Sequence, residues 1–376
     1  MTLARARPGS QHLSGTLWAH GAQAPGNMPA RRRQQAAAQA RIEAQQVLAV
    51  VEPNAPPMKR RFPTSKAGTL DCRTMRTIPS FDSQESKVCD ASVCRGTEAI
   101  RFLDKPATGG DERFTSAQLQ KYFQDLSDSS TIQGWMVPIH AWLVGLFTRH
   151  QHNLGIWGAV GEIGVFQGKL FIALSGFSHP SETIVAADWF DGGGQTRGYY
   201  EKFTANLVKY LGLQTSQMFT YQGDSNELTP QWFSERSIPY FRLLSIDASH
   251  DLKLVLRDFN LAACLMMDGG IVIADDFGST SWMGVNAALY NFVLEQSRIV
   301  PFMLTNNKLY LTTVSHHAQY YEMVKALPDV VCEEEGQTLT QISLGDYRVC
   351  MLEHKKIGNA DVDGLMTLLT AAIRPT

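Results

Sequence analysis

The residues best suited to chemistry form a short motif in which Glu162 is followed by Gly164 and Gly168. An apolar run precedes the motif, and a second, helix-like run from Leu170 to Leu174 follows Lys169. This order predicts a buried strand, a tight turn whose backbone approaches a ligand closely, and a helix N-terminus. Glu162, Gly164, Gly168 and Lys169 are therefore candidate ligand-binding residues.

The glutamate distinguishes this motif from the Gly-x-Gly-x-x-Gly of dinucleotide-binding folds, whose first turn must admit a pyrophosphate. A carboxylate in place of the first glycine favours a ligand that has no phosphate and offers hydroxyl or ammonium groups. S-adenosylmethionine (SAM) is such a ligand, and we expect it as the cofactor.

A carboxylate also follows each later strand that the sequence predicts. Asp is a common helix N-cap, so any single one of them has a structural explanation. Ligands of open α/β sheets bind beyond the carboxyl ends of the strands, and all of these side chains belong to that edge. Carboxylates after five successive strands are hard to explain by helix caps alone. The residues are Asp188, then Asp224 with Ser225, Asp247, and the pair Asp275 and Asp276.

Three of these residues have an expected role in SAM binding. Asp188, after the second strand, is placed to accept hydrogen bonds from both ribose hydroxyls. Asp224 and Ser225, after the third strand, are expected to hold the adenine edge. The Gly164–Gly168 turn would let the methionine part pass close to the backbone.

The remaining carboxylates, Asp247, Asp275 and Asp276, predict a metal site. Three like charges at adjacent strand ends repel one another unless a cation neutralises them, and oxygen ligands suit Mg2+. His250 follows Asp247 by three residues and could face the same ion as a general base, with Asp247 as its catalytic partner. In the alternative, His250 is a helix-start residue without a task, and the Asp pair supplies one loop carboxylate and one SAM-facing group.

The elements that must position these residues alternate between strand-like and helix-like segments. Near-continuous apolar strands in such an alternation predict a parallel sheet covered by helices on both faces. Two further strands, 298–304 and 308–313, read as an antiparallel hairpin. The predicted parallel strands are 156–163, 183–188, 217–222, 240–247 and 270–275, and the helices are 168–177, 198–211, 252–266 and 284–297.

Charge and composition divide the chain into four expected regions. Residues 1–61 carry nine Lys/Arg against two acids, and the rest carries 25 basic and 34 acidic residues, which disfavours nucleic acid as a partner. The basic head is either an organelle-targeting presequence or a disordered tail. We expect a basic region at 1–110, helices at 111–155, the SAM-binding domain at 156–315 and an α/β appendage at 316–376.

Two further features bear on the environment of the protein. No apolar run reaches the roughly 18 residues of a membrane span, so we expect a soluble protein, cytoplasmic or organellar, with no membrane partner. The six cysteines show no Cys-x-x-Cys spacing. A disulfide framework or zinc site is therefore not expected, and Cys264 is predicted to fill the core.

With these residues in view, the stretch from Ile132 to Thr313 resembles the class I SAM-dependent methyltransferases, in particular the branch of the macrocin and mycinamicin O-methyltransferases. The resemblance implies a Rossmann-like α/β fold with a mostly parallel seven-stranded sheet and a terminal antiparallel hairpin. It also implies that Asp247, Asp275 and Asp276 bind magnesium and that His250 is the base. The matching pieces are Gly134-Trp135, Glu162-Ile163-Gly164-Val165, Gly168-Lys169, Gly223-Asp224-Ser225, Ile246-Asp247-x-x-His250, Gly269-Gly270-Ile271-Val272-x-x-Asp275-Asp276 and Lys308-Leu309-Tyr310-Leu311.

The expected function is SAM-dependent O-methylation of a small hydroxylated molecule with the help of Mg2+. One alternative is an oxidoreductase that uses NAD(P), against which the missing Gly-x-Gly-x-x-Gly argues. A second is a non-catalytic SAM-binding or scaffold protein with the same fold, since fold alone does not decide function. A homo-oligomer, if formed, would use the 115–150 helices or the C-terminal appendage.

Overall fold

The computed structural model describes residues 100–105, 112–126, 131–190, 198–295, 298–326 and 337–354. The expectations for the basic head lie almost entirely outside these residues and stay predictions. The helices, in chain order, are α1 Ser116–Leu126, α2 Pro138–Asn153, α3 Lys169–Gly176, α4 Tyr199–Leu211, α5 Pro230–Glu235, α6 Leu252–Leu265, α7 Met283–Glu295 and α8 His317–Lys325.

A single mixed sheet organises the chain. Its strands are β1 Ala159–Ile163, β2 Ile184–Asp188, β3 Phe219–Gln222, β4 Phe241–Ile246, β5 Met266–Ala274, β6 Ile299–Thr305, β7 Lys308–Thr313, β8 Gln337–Leu344 and β9 Tyr347–His354. The strand order is β3-β2-β1-β4-β5-β7-β6-β9-β8. Strands β1 to β5 are parallel, and β7 and β6 form the antiparallel hairpin that the sequence predicts.

Within the part of the chain that the structure describes, the sheet has nine strands. The seven strands that the sequence predicts correspond to β1 to β7. The two extra strands come from the C-terminal region, where β9 pairs in parallel with β6 (Met303 opposite Cys350) and β8 pairs antiparallel with β9. The C-terminal region therefore continues the sheet beyond the hairpin. A hairpin whose outer strand still has unpaired backbone groups can accept such an extension.

The strands form where they do because helices cover both faces of the sheet. Every residue of β1 and of β4 is buried, as expected for strands with no solvent-facing side. One face packs against α1, α2, α3, α4 and α8, and the other against α5, α6 and α7. The strand order reverses at β1, between β2 and β4, and that switch point is where a ligand crevice forms in an open α/β sheet.

A buried ion pair lies at the amino edge of the sheet, where the parallel strands begin. Arg242, on β4, donates through Nε to Oε1 of Glu182 at 2.5 Å and through Nη2 to Oε2 at 2.7 Å. Its remaining Nη1 reaches Gln151 on α2 at 2.9 Å, and His152 approaches Glu182 at 3.2 Å. A bidentate pair with its other groups satisfied is the arrangement in which a buried pair persists.

Cys264 is buried on α6, as predicted. It is also disulfide-bonded, a bond that the sequence analysis did not predict. Among the described residues, none of the helices has both the length and the apolar character needed to cross a bilayer.

Candidate active site

A cavity of about 850 Å³ opens at the carboxyl edge of the sheet, at the predicted position. Its volume lies within the roughly 300–1,000 Å³ of small-molecule sites. Six carboxylates and two lysines line it, so its charge is strongly negative when all of them are ionised. The charged lining residues are Glu162, Asp188, Asp224, Asp247, Asp275, Asp276, Lys169 and Lys308.

The glycine turn after β1 packs closely against neighbouring parts of the protein. Gly164 has φ +90°, and a Cβ there would lie 1.9 Å from the carbonyl oxygen of Asp247. Gly168 has φ +86° at the start of α3, and a Cβ there would lie 2.9 Å from the ring of Phe203. A larger residue at Gly164 would therefore strain the backbone and clash with Asp247 at the end of β4. A larger residue at Gly168 would also strain the backbone and would meet Phe203.

Glu162 is the least satisfied charged group of the cavity. It is 3 % exposed, and its Oε2 has no hydrogen-bond partner. Burial raises its pKa to about 8, although the positive charge of Lys308 acts in the opposite direction. A buried polar atom without a partner is costly, so Glu162 is suited to a cationic ligand that enters the cavity.

Asp188 holds two turns together. Its Oδ2 accepts a hydrogen bond from the backbone N–H of Phe166 at 2.7 Å, and its Oδ1 accepts one from the N–H of Phe190. The first of these bonds fixes the glycine turn to the end of β2. A carboxylate has further lone pairs, so Asp188 can still accept from a ligand.

Asp224 and Ser225 line the cavity, but both also have structural partners. Asp224 caps a short 3-10 helix by accepting from Asn226, whose hydrogen bonds lower the pKa of Asp224. The hydroxyl of Ser225 donates to Asp258 on α6 at 3.0 Å. Lys169 donates to the carbonyl of Gly134 at 3.2 Å, which joins α3 to the segment before α2. The ligand-binding roles of these residues stay predictions.

Asp275 is paired with a lysine. Lys308, the first residue of β7, forms a buried ion pair with its Oδ2, and Asn307 donates to its Oδ1 at 2.9 Å. Burial alone would raise the pKa of Asp275, but the Lys308 charge and the hydrogen bonds hold it below its usual value. The carboxylate is therefore satisfied within the protein.

Asp247 borders the cavity beside Asp275. Burial, and then the negative charge of Asp275, raise the pKa of Asp247 well above its usual value. Two carboxyl groups that repel each other favour the protonated form of one of them unless a cation binds beside them.

His250 and Asp276 form the second polar pair of the cavity. His250 Nε2 lies 2.9 Å from Asp276 Oδ2, and the imidazole stacks on Trp282 with ring centroids 3.9 Å apart and planes 14° apart. Asp276 has φ +61°, a conformation that costs energy for a residue with a side chain. The strained residue directs its carboxylate to His250.

One group of side chains could hold a metal ion. Asp247, His250 and Asp276 each offer one ligand atom, and these atoms lie within 4.8 Å of one another. Asp275 is not part of this group, because its oxygens face Lys308 and Asn307. The structure thus brings together two of the three carboxylates expected to bind the metal, together with the expected base.

Lys308 is the residue to which the sequence argument gave no role. The predicted hairpin contained the signal, because β7 pairs with β5 and puts Leu309 opposite Ala274. That register sets Lys308 beside Asp275. Asn307, in the preceding turn, follows from the same register.

Residues 162–277 match the methyltransferase domain family. The matched segment runs from the glutamate of the glycine turn to just beyond the Asp275–Asp276 pair. The match identifies a methyltransferase domain in this part of the chain, and the sheet agrees with the class I α/β fold that the sequence predicts. No curated protein sequence matches the chain.

Solved structures that the chain resembles include three methyltransferases. A TDP-rhamnose 3'-O-methyltransferase of calicheamicin biosynthesis is 18% identical, with 52% of this chain and 92% of that one covered and a TM-score of 0.37. An O-methyltransferase of tomaymycin synthesis from Streptomyces achromogenes, in complex with SAM, is 16% identical, with 52% and 87% covered and a TM-score of 0.39. The mycinamycin-pathway methyltransferase in complex with Mg, SAH and mycinamycin VI is 17% identical, with 50% and 54% covered and a TM-score of 0.33.

Proposed function

We propose that the protein transfers the methyl group of SAM to a hydroxyl oxygen of a small molecule. The observation that carries the proposal is the acidic cavity at the switch point of a methyltransferase domain, with the unpartnered Glu162 in its wall. SAM carries a sulfonium and an ammonium, so it is a cationic ligand of the kind this cavity favours. The pyrophosphate of NAD(P) would meet six carboxylates there.

The donor-binding roles that we propose fall on residues that line the cavity. Glu162 would accept a hydrogen bond from the ammonium of the methionine part, which completes its unpartnered oxygen. Asp188 would accept from the ribose hydroxyls while it keeps the glycine turn in place. Asp224 and Ser225 would border the adenine. The backbone of Gly164 would border the methionine chain.

The proton of the acceptor hydroxyl would go to His250. Asp276 accepts a hydrogen bond from Nε2–H of His250, which leaves Nδ1 as the proton acceptor and stabilises the imidazolium that forms. The acceptor oxygen then attacks the methyl carbon in line with the sulfur. Because the methyl donor is already activated, the protein contributes mainly orientation and close approach.

The donor set beside His250 fits a divalent cation. One ligand atom of Asp247 and one of Asp276 lie within 4.8 Å of each other and of His250, and burial and the charge of Asp275 raise the pKa of Asp247. Asp247 and Asp276 would hold Mg2+, and Asp275 would support Asp247 from the side. When bound, the ion would lower the pKa of the acceptor hydroxyl.

The experiment that tests the proposal measures binding and transfer together. SAM or its demethylated product SAH should bind the full-length chain with a Kd in the micromolar range, and a library of hydroxylated compounds should yield a methylated product. A chain that binds NAD but neither SAM nor SAH would refute the proposal. A chain that binds SAM but methylates nothing would be the non-catalytic SAM-binding protein.

The metal role has its own test. EDTA should abolish transfer and leave SAH binding unchanged, and added Mg2+ should restore transfer. Asp247→Asn should behave like EDTA treatment, whereas Asp268→Asn, an exposed carboxylate at the opposite edge of the sheet, should not. Full activity in excess EDTA would contradict the metal role and leave His250 with Asp276 as a metal-free base pair.

A further inference from the structure

The lining of the cavity combines buried charged residues with exposed apolar ones. Four charged residues of the wall are buried: Glu162, Lys169, Asp275 and Lys308. Seven apolar residues of the wall are exposed or half-exposed, and we call them the aromatic rim: Trp135, Met136, Phe166, Trp189, Ala248, Leu254 and Trp282. The other four charged residues, Asp188, Asp224, Asp247 and Asp276, are exposed or half-exposed like the rim.

The tryptophans of the rim are exposed to an unusual degree. Trp135, Trp189 and Trp282 are 87 %, 58 % and 41 % exposed. Within the described ranges these three are the exposed tryptophans, and all of them border this cavity. An exposed indole is costly in water and is typical of a binding site, so their convergence on one cavity indicates a ligand with an apolar face.

The rim also constrains the shape of that ligand. The indole of Trp282 is held nearly parallel to the imidazole of His250, 3.9 Å away, so the proposed base and a flat aromatic surface adjoin each other. Trp135 is held against Phe166, a residue of the glycine turn, at 5.8 Å. These contacts place Trp282 against the proposed base and Trp135 against the glycine turn. A flat ring that stacks at the rim would present its substituents to His250.

The charged wall constrains the charge of the ligand. Both lysines of the cavity already have partners, since Lys308 pairs with Asp275 and Lys169 donates to the Gly134 carbonyl. Six carboxylates also line the cavity, so an anionic acceptor would meet a wall of net negative charge.

We infer that the methyl acceptor is a planar aromatic ring that carries a hydroxyl group and no negative charge, a phenol or catechol. The inference rests on the proposed function and names its acceptor. In the reaction, the bond from the phenolic oxygen to the methyl carbon forms as the bond from that carbon to sulfur breaks. The sulfonium becomes a neutral thioether, and the phenolic proton passes to His250.

The test ranks three probes by affinity for the full-length chain, with and without SAH. The probes are catechol, the same ring with a carboxylate (3,4-dihydroxybenzoate), and methyl glucoside as a sugar. Catechol should bind at least tenfold more tightly than either of the others. Equal or tighter binding of the carboxylate or of the sugar would overturn the inference.

Variants of the rim supply the second arm of the test. Trp189→Leu should weaken catechol binding at least tenfold without a change in the Kd of SAH, and Trp189→Phe should retain most of it because a ring remains. Trp232→Phe, on α5 and outside the cavity, is the matched control and should bind catechol like the unaltered protein. Unchanged catechol binding in Trp189→Leu and in the corresponding Trp135 and Trp282 variants would also overturn the inference. A failure of SAH to bind would refute the proposed function separately, because the ranking without SAH still decides the acceptor class.

Discussion

Glu162 and Glu182 are both buried glutamates, but they lie at opposite edges of the sheet, and their pKa values are shifted in opposite directions. Glu162 is 3 % exposed and Glu182 is 2 % exposed. Burial raises the pKa of Glu162 to about 8. At Glu182 burial acts in the same direction, yet the charge and hydrogen bonds of Arg242 hold its pKa well below the usual range.

The difference lies in the partners that the fold supplies. Glu182 receives both prongs of Arg242, a contact from His152 and the backbone N–H of His179. Glu162 has an oxygen with no hydrogen-bond partner. At the amino edge, the Glu182 carboxylate thus stabilises the fold. At the carboxyl edge, the Glu162 carboxylate remains available for a ligand. A carboxylate that the fold leaves incomplete at the wall of a cavity is suited to binding.

The largest effect is expected at the amino edge. Arg242→Met should lower the free energy of unfolding by about 3–5 kcal/mol, because it leaves the Glu182 carboxylate buried without its partner. Urea unfolding followed by circular dichroism measures this. The double variant with Glu182→Gln should recover part of the loss, since no charge then remains unpaired. A free energy of unfolding of Arg242→Met within about 1 kcal/mol of that of the unaltered protein would contradict a structural role for the pair.

At the carboxyl edge the next largest effect should be on turnover and not on stability. His250→Ala should lower kcat by roughly a hundredfold or more, the usual contribution of a general base. Its midpoint in urea should stay close to that of the unaltered protein, because His250 is about one-third exposed. Steady-state rates with SAM in excess check the first part. An unchanged kcat would remove His250 from the mechanism.

A smaller effect concerns the binding of the donor. Glu162→Gln keeps the size of the side chain but loses its charge, so SAM affinity should fall by about 1.5–3 kcal/mol, the range for a hydrogen bond to a charged group. Asp188→Ala should weaken binding by a similar amount. Glu295→Gln is the matched control, because Glu295 is also buried without partners but lies outside the cavity. Equal losses in Glu162→Gln and Glu295→Gln would mean that Glu162 acts on the fold.

A further effect concerns the pH dependence of stability. The folded-state pKa of Glu162, about 8, exceeds the usual 4.5, so its contribution is fully present below pH 4.5 and is lost as the pH rises through 8. Glu162→Gln should flatten the unfolding free energy over that window. Glu182 has the opposite sign, and its contribution is lost as the pH falls below 4.5. Urea unfolding across this range compares the two, and an unchanged slope in Glu162→Gln would contradict the raised pKa.

The positions of the strands could be predicted because they depend on local pattern. Apolar runs that end in a carboxylate located β1, β2, β4 and β5 to within a few residues, and with them the edge that carries Glu162, Asp188 and Asp247. The partner of each carboxylate could not be predicted in the same way. Lys308 meets Asp275 across 33 positions of the chain, and Arg242 meets Glu182 across 60. Such pairs depend on strand register and on burial, which single residues do not encode.

The same limit explains the extra strands and the hidden partners. The sequence predicts an α/β appendage in the region of β8 and β9, but the pairing of β9 with β6 depends on an edge that forms only when the sheet assembles. Asp224 and Ser225 were found at their predicted places, yet their contacts with Asn226 and Asp258 depend on the turn and on α6. Local sequence predicts which residues reach the edge, and the tertiary fold decides which of them remain available.

The most direct test of the account measures the protons exchanged when SAM binds. Glu162, with a pKa of about 8, holds its proton at neutral pH, and an arriving ammonium should displace it. Isothermal titration of SAM in two buffers of different ionisation enthalpy should therefore show net proton release, and Glu162→Gln should lose that release. Heats that are the same in both buffers, or a release that persists in Glu162→Gln, would contradict the claim that Glu162 is the carboxylate the ligand completes.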